Sequence, residues 1–403
     1  MSAPADAVPV VVAGAGIAGS ALALGLHRAG IGVVVCEAHP DDGADAGAFL
    51  TLAANGVRAL GALDAADAVA AVSAPMADMA ILDPAGTELD RRPLGGPDER
   101  VAFRCLARVV LARTLRELAV ARGVEVRHGA RVTGATPDGD GVTVHLDGGP
   151  DLRAGLLVGA DGLHSPVRAL VDPQARPPRP VGQRIYYGFS PAADPGVGQR
   201  PADARLGHTG DFHVVRSGGG VAFGAIPTSD RTWWFARVET GVPVPPPDDD
   251  PGAALRTAVT PGVAADIVAA AERIHVTDAH DLPHVGPWFS DRMLVVGDAA
   301  HAASPATGQG ATMAIEDAVV LAKALRDSGQ GHRGPGDHGP GDHGIGDPAA
   351  AMAVYEPLRR GRTQANVLAS AAMSGSPVTG ADPGEPLPDP VLHAHLDWAR
   401  PLP

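Results

Sequence analysis

Three glycines and one acid near the start of the chain carry the first chemistry that the sequence offers. Gly14, Gly16 and Gly19 fall in G-x-G-x-x-G register, and Glu37 stands about 20 residues further on. Glycines at this spacing let a backbone turn tightly, approach a pyrophosphate and pack a helix closely on a strand. Unpaired N–H groups and the dipole at the helix start favour a phosphate there, and the acid is placed to accept hydrogen bonds from an adenosine ribose. Such chemistry needs a strand before the glycines and a helix after them. Val8 to Val12 is an apolar, β-branched run that reads as a strand buried on both faces. Ala18 to about Ala29 reads as a helix, and Gly32 to Cys36 as a second buried strand ending at Glu37. The bare motif is weak in a chain with 52 glycines, but the strand–turn–helix–strand–acid context makes it a dinucleotide site.

Two later stretches hold further candidates. In GADGLHSPVR, Gly159 to Arg168, a strand ends, Asp161-Gly162 turns, and Ser165-Pro166 starts a helix with Arg168 one turn inside. Asp161 and Ser165 can fix this loop against a nucleotide; an ordinary Asp-Gly turn with a helix cap is the alternative. In LVVGDAAHAASPATGQGATMAIEDAVVLAKAL, Leu294 to Leu325, a buried strand (Met293 to Asp298) ends at Gly297 with the carboxylate of Asp298. Pro305 lies in a loop that Gly308-Gln309-Gly310 closes onto a helix, Gly308 to Leu325, with Ile315, Val319 and Ala322 on one face. Backbone amides there can meet the pyrimidine edge of a flavin, where negative charge appears on reduction. A plain loop capped by a helix is the other possibility.

The remaining elements frame these loops. Phe49 to Leu63 has helical spacing, Met76 to Arg92 reads as a hairpin, and Arg108 to Arg122 as an amphipathic helix. Short strands are expected at Val124 to Arg127, Val142 to Leu146 and Leu152 to Gly159. Gly182 to Val238 is β-rich; a helix from Pro251 to Arg273 follows, then a strand, Ile274 to Asp278, returning toward the nucleotide domain. Gly334 to Pro348 repeats GPGDH and is expected to be a flexible insertion. Ala349 to Met373 is a long helix interrupted at Pro357. With 403 residues, 45% hydrophobic, the chain can bury two cores. A net charge of −14 argues against general nucleic-acid binding. Two cysteines, Cys36 and Cys105, exclude a disulfide scaffold and a thiolate metal cage, and no metal site is expected. The absence of a charged leader or a long apolar run predicts a cytoplasmic chain with no membrane span.

Taken in order, the three motifs resemble those of the para-hydroxybenzoate-hydroxylase-like flavin monooxygenases, the single-component aromatic hydroxylases. Arg108, Trp288, Tyr355-Glu356, Arg359 and Arg362 echo the same family. Thr312 stands where many members carry Asn, and Ala38 where many carry Arg or Lys. The resemblance implies an α/β fold: a Rossmann-type FAD-binding domain with an inserted β-sheet substrate domain and C-terminal helices. It divides the chain into a discontinuous FAD domain (1–75, 98–180 and 275–330), a substrate domain (76–97 and 181–274), the repeat loop (331–348) and a C-terminal helix and tail (349–403). It implies non-covalent FAD, with Gly14, Gly16, Ile17, Ala18, Gly19 and Glu37 on the ADP half. Arg108 and Asp298 are expected nearer the diphosphate and ribityl, Asp161 beside FAD and the nicotinamide, and Pro305, Gly308, Gln309, Gly310 and Ala311 beside the isoalloxazine. NADPH or NADH and O2 are the implied co-substrates, and the implied reaction is hydroxylation or epoxidation of an aromatic or polyketide-like molecule through a flavin hydroperoxide. An alkene reductase or a non-catalytic FAD-binding protein on the same fold are the alternatives, and a monomer or homodimer is expected. Pocket walls favour aromatic side chains. Tyr186, Tyr187, His213, Phe223 and Trp234, together with Pro305, are therefore the pocket candidates, none with an assigned catalytic role. Alternation allows only one of Tyr186/Tyr187 and one of Trp233/Trp234 to face the cavity.

Overall fold

Val10, Val11 and Val12 are each 0% exposed, as a strand covered on both faces must be. In the computed structural model Val10–Ala13 is the centre of a six-stranded sheet. The structure describes residues 8–40, 48–95, 101–147, 149–191, 206, 209–216, 220–229, 231–246, 250–284, 286–330, 345–378 and 389–403. The sheet runs in the order Phe289–Ser290, Met293–Val295, Leu156–Gly159, Val10–Ala13, Val33–Glu37, Glu125–His128. All pairs are parallel except the outermost Phe289–Ser290. The first helix, Ile17–Arg28, crosses the sheet and meets the helix Gly310–Gln330. Their approach is close: a Cβ on Gly25 would stand 2.8 Å from that of Ala322 and 3.2 Å from the carbonyl oxygen of Ala318.

A second sheet of seven strands has the order Arg273–Asp281, Arg179–Pro191, Arg231–Glu239, Val221–Pro227, Phe212–Arg216, Asp78–Leu82, Glu88–Pro93. Both of its faces are covered. Helices Pro251–Ala258 and Val263–Ala269 lie over one, enclosing a core that includes Tyr186, Phe223, Trp234, Leu255 and Ile267. The opposite face presents Tyr187, Phe212, Trp233 and Phe235 to Phe49, Met76 and Cys105 of a small three-stranded sheet, Phe49–Leu52, Phe103–Ala107 and Ala74–Met76.

Several elements differ from the sequence expectation for identifiable reasons. Phe49–Leu52 is a strand, antiparallel to Phe103–Ala107, and helix begins only at Ala54. The expected helix from Pro251 to Arg273 breaks in two, because Pro261 disfavours helix at the residue before it and Gly262 takes φ +146°. Ile274 to Asp278 does not return to the nucleotide sheet; it lies in Arg273–Asp281, which pairs antiparallel with Arg179–Pro191 as an edge of the seven-stranded sheet. Leu152 to Gly159 is two strands in two sheets, and Pro348–Met373 is one helix that contains Pro357. The GPGDH repeat falls almost wholly outside the described residues. Among the described residues no helix is long and apolar enough to cross a membrane, and no cluster of His, Cys, Asp or Glu is placed to hold a metal ion. Cys36 and Cys105 are free and buried, and burial raises their pKa values to about 11 and about 12.

Candidate functional site

The site begins where the first strand ends. Gly14 takes φ +98°, and a Cβ there would lie 2.6 Å from the carbonyl oxygen of Ala160 and 3.2 Å from the Cα of Asp161. Gly19 is closed equally tightly, since its Cβ would stand 1.9 Å from the carbonyl oxygen of Gly14. Gly16 differs: it is exposed, and a Cβ there would meet nothing within 4 Å. It is the N-cap of the first helix, with no side chain capping the turn and no acid within it. Its N–H groups and positive dipole end are therefore left for an external anion. Glu37 leans against the same turn, its carboxylate accepting from the N–H of Ala15 at 2.8 Å and from that of His39 at 2.9 Å.

The second loop abuts the first through Ala160 and Asp161. One carboxylate oxygen of Asp161 accepts from the N–H of Val167 at 3.2 Å; the other is buried with no hydrogen-bond partner. Burial raises the Asp161 pKa, and hydrogen bonds from Ser165 and Val167 pull against it. Ser165 caps its helix by accepting from the N–H of Arg168 at 2.8 Å. Arg168 in turn donates to the carbonyls of Leu163, at 2.8 Å, and Ala299, at 3.0 Å, which ties this loop to the third.

The third loop starts at Gly297, φ +59°, where a Cβ would reach within 2.9 Å of the Cβ of Ala18. Asp298 is half-buried at the start of the short helix Asp298–His301. The segment then passes Pro305 and Gly308, both exposed, and Gln309, Gly310 and Ala311, all half-buried, before entering Gly310–Gln330. It is pinned from behind. Thr307 donates to the side-chain oxygen of Asn366 at 2.8 Å, and Ser370 donates to the carbonyl of Ser304 at 2.5 Å. Thr312, at 0% exposure, accepts from the N–H of Ala53 at 3.3 Å and packs on Gly56. It joins the loop to the helix Ala54–Ala62.

Beneath this loop lies a buried charge network whose anionic members, Glu316 and Asp317, hold none of the roles assigned to the sequence motifs. Asp317 accepts from the N–H of Gly297 (3.1 Å), pairs with His301 (2.5 Å) and with Arg359 (2.7 Å). Glu316 pairs with Arg359 (2.6 Å) and Arg362 (2.8 Å) and accepts from Asn55. Glu316 and Asp317 are each 0% exposed and Arg359 1%. Burial alone would raise the Asp317 pKa, but His301 and Arg359 overcome it and hold the carboxyl at about 2. A signal was present: two adjacent acids interrupt an otherwise apolar helical run, Ala314 to Val320.

Among the pocket candidates, the structure separates two faces of one sheet. Tyr186, Phe223 and Trp234 pack in the core under Pro251–Ala269, Phe223 stacked on Trp234 with ring centroids 5.9 Å apart. His213, 1% exposed, projects to that side with Val215, and burial lowers its pKa. These four are core residues. Tyr187 is on the other face, in an edge contact with Phe49 (6.0 Å), beside Trp233, 5.7 Å from Phe49. Phe189, Phe212 and Phe235 complete that wall. Arg108, exposed at the start of helix Arg108–Ala121, and Arg237 both act on Tyr187, whose pKa burial nonetheless pushes up to about 12. A cavity of about 520 Å³ opens between Gln309, Asn55, Met313 and Arg362 on one side and Leu94 and Phe103 of the aromatic cluster on the other.

The family model described as FAD binding domain matches residues 7–338. The chain is 36% identical over 329 residues to the 3-amino-4-hydroxybenzoate 2-monooxygenase PtnB3 of Streptomyces platensis, covering 78% of this chain and 79% of the relative. It is 32% identical over 332 residues to the aurachin C monooxygenase/isomerase of Stigmatella aurantiaca, covering 78% and 80%. The crystal structure of Klebsiella pneumoniae HpxO complexed with FAD and uric acid superimposes with a TM-score of 0.74 at 26% identity, covering 91% of this chain and 88% of that one.

Proposed function

The chain belongs to the FAD binding domain family, and from that premise we propose how its own residues hold FAD and receive a substrate. It is an FAD-dependent monooxygenase, an oxidoreductase whose relatives act with O2 on small aromatic or secondary-metabolite molecules. When bound, FAD would supply the redox chemistry, electron uptake from NAD(P)H and activation of O2 for insertion of one oxygen atom, and the residues below would hold it. The observation that carries the assignment of residues is the convergence of three loops on one helix start. Asp161 abuts Gly14 and Gly297 abuts Ala18, all around the uncapped turn at Gly16.

In this assignment Gly14, Gly16, Ile17, Ala18 and Gly19 seat the diphosphate on the first helix, and Glu37 accepts from the ribose. Asp161 offers its unpartnered oxygen to the cofactor, while Arg108 and Asp298 hold the diphosphate and ribityl. Pro305, Gly308, Gln309, Gly310 and Ala311 border the isoalloxazine, where the N–H groups at the start of Gly310–Gln330 favour negative charge. The six-stranded sheet serves as cofactor domain and the seven-stranded sheet as substrate domain. The substrate lies against Tyr187, Trp233, Phe235 and Phe49, a wall that orients an aromatic ring and excludes water. Tyr187, held protonated, can donate one hydrogen bond to it.

The test uses isotopically labelled dioxygen. NAD(P)H oxidation should need O2, should be slow and release H2O2 without substrate, and should place one labelled atom in the product with it. Trp233→Ala should raise the peroxide share several-fold while FAD stays bound, because it opens the wall. Trp234→Ala, by contrast, removes a fully buried core side chain and should cost about 3–5 kcal/mol of stability. Unlabelled product formed equally well without oxygen overturns this function and leaves the alkene reductase.

A further inference from the structure

We propose that a second cavity, apart from the cofactor turn, is a binding site for a phosphate group, and that Arg58 is its anchor. The cavity has a volume of about 540 Å³ and lies between the helix Ala54–Ala62 and the C-terminal segment that begins with the helix Asp389–Leu396. Arg28, Arg58, His393 and Arg400 line it against one carboxylate, Asp397, in a chain whose net charge is −14. Arg28 ends the helix Ile17–Arg28, so the cavity stands roughly 16 Å along that helix from the uncapped turn at Gly16. The helix Asp389–Leu396 separates it from the cavity beside Asn55 and Gln309, and His393 lines both. The inference goes beyond the monooxygenase function and does not depend on it.

What distinguishes Arg58 is that nothing in the fold uses its charge. Its Nε is buried with no hydrogen-bond partner, and no carboxylate pairs with it among the described residues. The other arginines of the lining are engaged. Arg28 pairs with Asp64 at 2.7 Å, donates to the carbonyl of Ala62 at 2.7 Å and lies 4.9 Å from the centroid of the Trp398 ring. Arg400 pairs with Asp397 at 3.1 Å. A buried donor left unmet costs the fold stability, and a ligand that supplies the acceptor recovers it. The facing wall is held without any occupant. Lys323, the only lysine in the chain and 0% exposed, donates to the carbonyls of His395 at 2.7 Å and Asp397 at 2.6 Å. Arg326 donates to the carbonyl of Trp398 at 2.8 Å. A phosphate monoester carries about −1.5 to −2 charge and three acceptor oxygens. It can therefore meet the fork of Arg58 on one wall and Arg400 or His393 on the other. A single carboxylate would satisfy Arg58 alone. The volume exceeds what inorganic phosphate fills, which leaves room for the body of an ester.

The experiment is calorimetric titration of FAD-loaded protein in phosphate-free buffer at fixed ionic strength, which reads binding and not turnover. The probes are inorganic phosphate, ribose 5-phosphate and adenosine 5′-monophosphate, with ribose and adenosine as neutral counterparts. At least one phosphate should bind about 10- to 100-fold tighter than the neutral compounds, the range of a charge-assisted contact. An ester that binds tighter than inorganic phosphate names a phosphorylated metabolite as the occupant; the reverse order names the free ion. Arg58→Gln should erase the preference, with flavin content unchanged and thermal midpoint equal or higher, since it removes an unpaired charge. Arg400→Gln, at a side chain 68% exposed, should fold as the wild type does and weaken phosphate several-fold. The proposal is overturned if no phosphate binds tighter than the neutral compounds or if the preference survives Arg58→Gln. It is overturned equally if that variant loses FAD or melts lower, which would make Arg58 a scaffold residue. Should Arg58→Gln fail to fold, undiminished phosphate binding in Arg400→Gln overturns it. A wild type that inserts labelled oxygen yet binds no phosphate sinks this inference and leaves the monooxygenase function intact.

Discussion

Gly16→Val is expected to fold and to purify without flavin. The side chain added at this position has room, because among the described residues nothing beyond its chain neighbours lies within 4 Å of a Cβ built there. It would occupy the space over the uncapped turn of Ile17–Arg28 that a diphosphate needs for backbone contact. FAD affinity should fall at least about 100-fold, or ~2.7 kcal/mol, while the melting curve of the apo protein stays close to that of apo wild type. Gly19→Ala is the informative contrast. Its Cβ would stand 1.9 Å from the carbonyl oxygen of Gly14, so the helix must move off the strand and the apo protein itself should be destabilised. Flavin-to-protein ratio and apo melting, measured on both variants, separate the two effects. Stoichiometric flavin in Gly16→Val would refute the placement of the diphosphate.

The second large effect is expected at Arg359. Replacing it with Met leaves Glu316 and Asp317, both fully buried, short of their shared cation. Removing one partner of a buried ion pair costs about 3–5 kcal/mol, a large part of the ~5–15 kcal/mol that a domain has. The pH dependence should become shallower as well. In the wild type His301 and Arg359, against the effect of burial, hold the Asp317 carboxyl at about 2, below its ordinary 3.8. That stabilisation is complete above pH 4 and is lost as pH falls toward 2. Without Arg359 the Asp317 carboxyl should rise toward its ordinary value, with His301 still opposing burial, so the variant should lose less stability on acidification than the wild type does. Urea midpoints between pH 7 and pH 3 test this directly. Asp317→Asn combined with Arg359→Met should cost less than the two changes added; additive losses would mean that the pair does not act as a unit.

The βαβ unit around Gly14 to Gly19 was legible because its information is local: Val10 to Glu37 carries strand, glycines, helix and acid in one stretch. The wall of the pocket was not. Both faces of the seven-stranded sheet are covered, one by Pro251–Ala269 and one by Phe49 and its neighbours, so no polar alternation marks which side is which. Tyr186 and Tyr187 are chemically identical, and a shift of one residue exchanges their roles. Tyr187 and Trp233 prove to share the face opposite Tyr186 and Trp234. The support beneath the third loop was legible in half. Arg359 and Arg362 were visible as charged positions of a helix, but their partners Glu316 and Asp317 lie in another helix, and only the fold brings the pairs together. Phe49–Leu52 misled for a similar reason: a four-residue segment with three apolar side chains fits either helix or strand until pairing with Phe103–Ala107 decides.

The crossing of Gly25 against Ala318 and Ala322 has a consequence for biosynthesis. The first helix leaves the ribosome early, yet the surface it packs on emerges only after roughly 300 further residues, which takes about 15–60 s at ordinary elongation rates. Throughout that interval the nascent chain carries an apolar helix without this neighbour, and for about its first half the strand Val10–Ala13 has Val33–Glu37 beside it but lacks Leu156–Gly159 on its other side. Flavin has no complete seat to enter until Ala311 has emerged, late in translation. Loading is therefore expected to be late, and pulse-labelled polysomes carrying chains that end before Ala311 should be free of flavin.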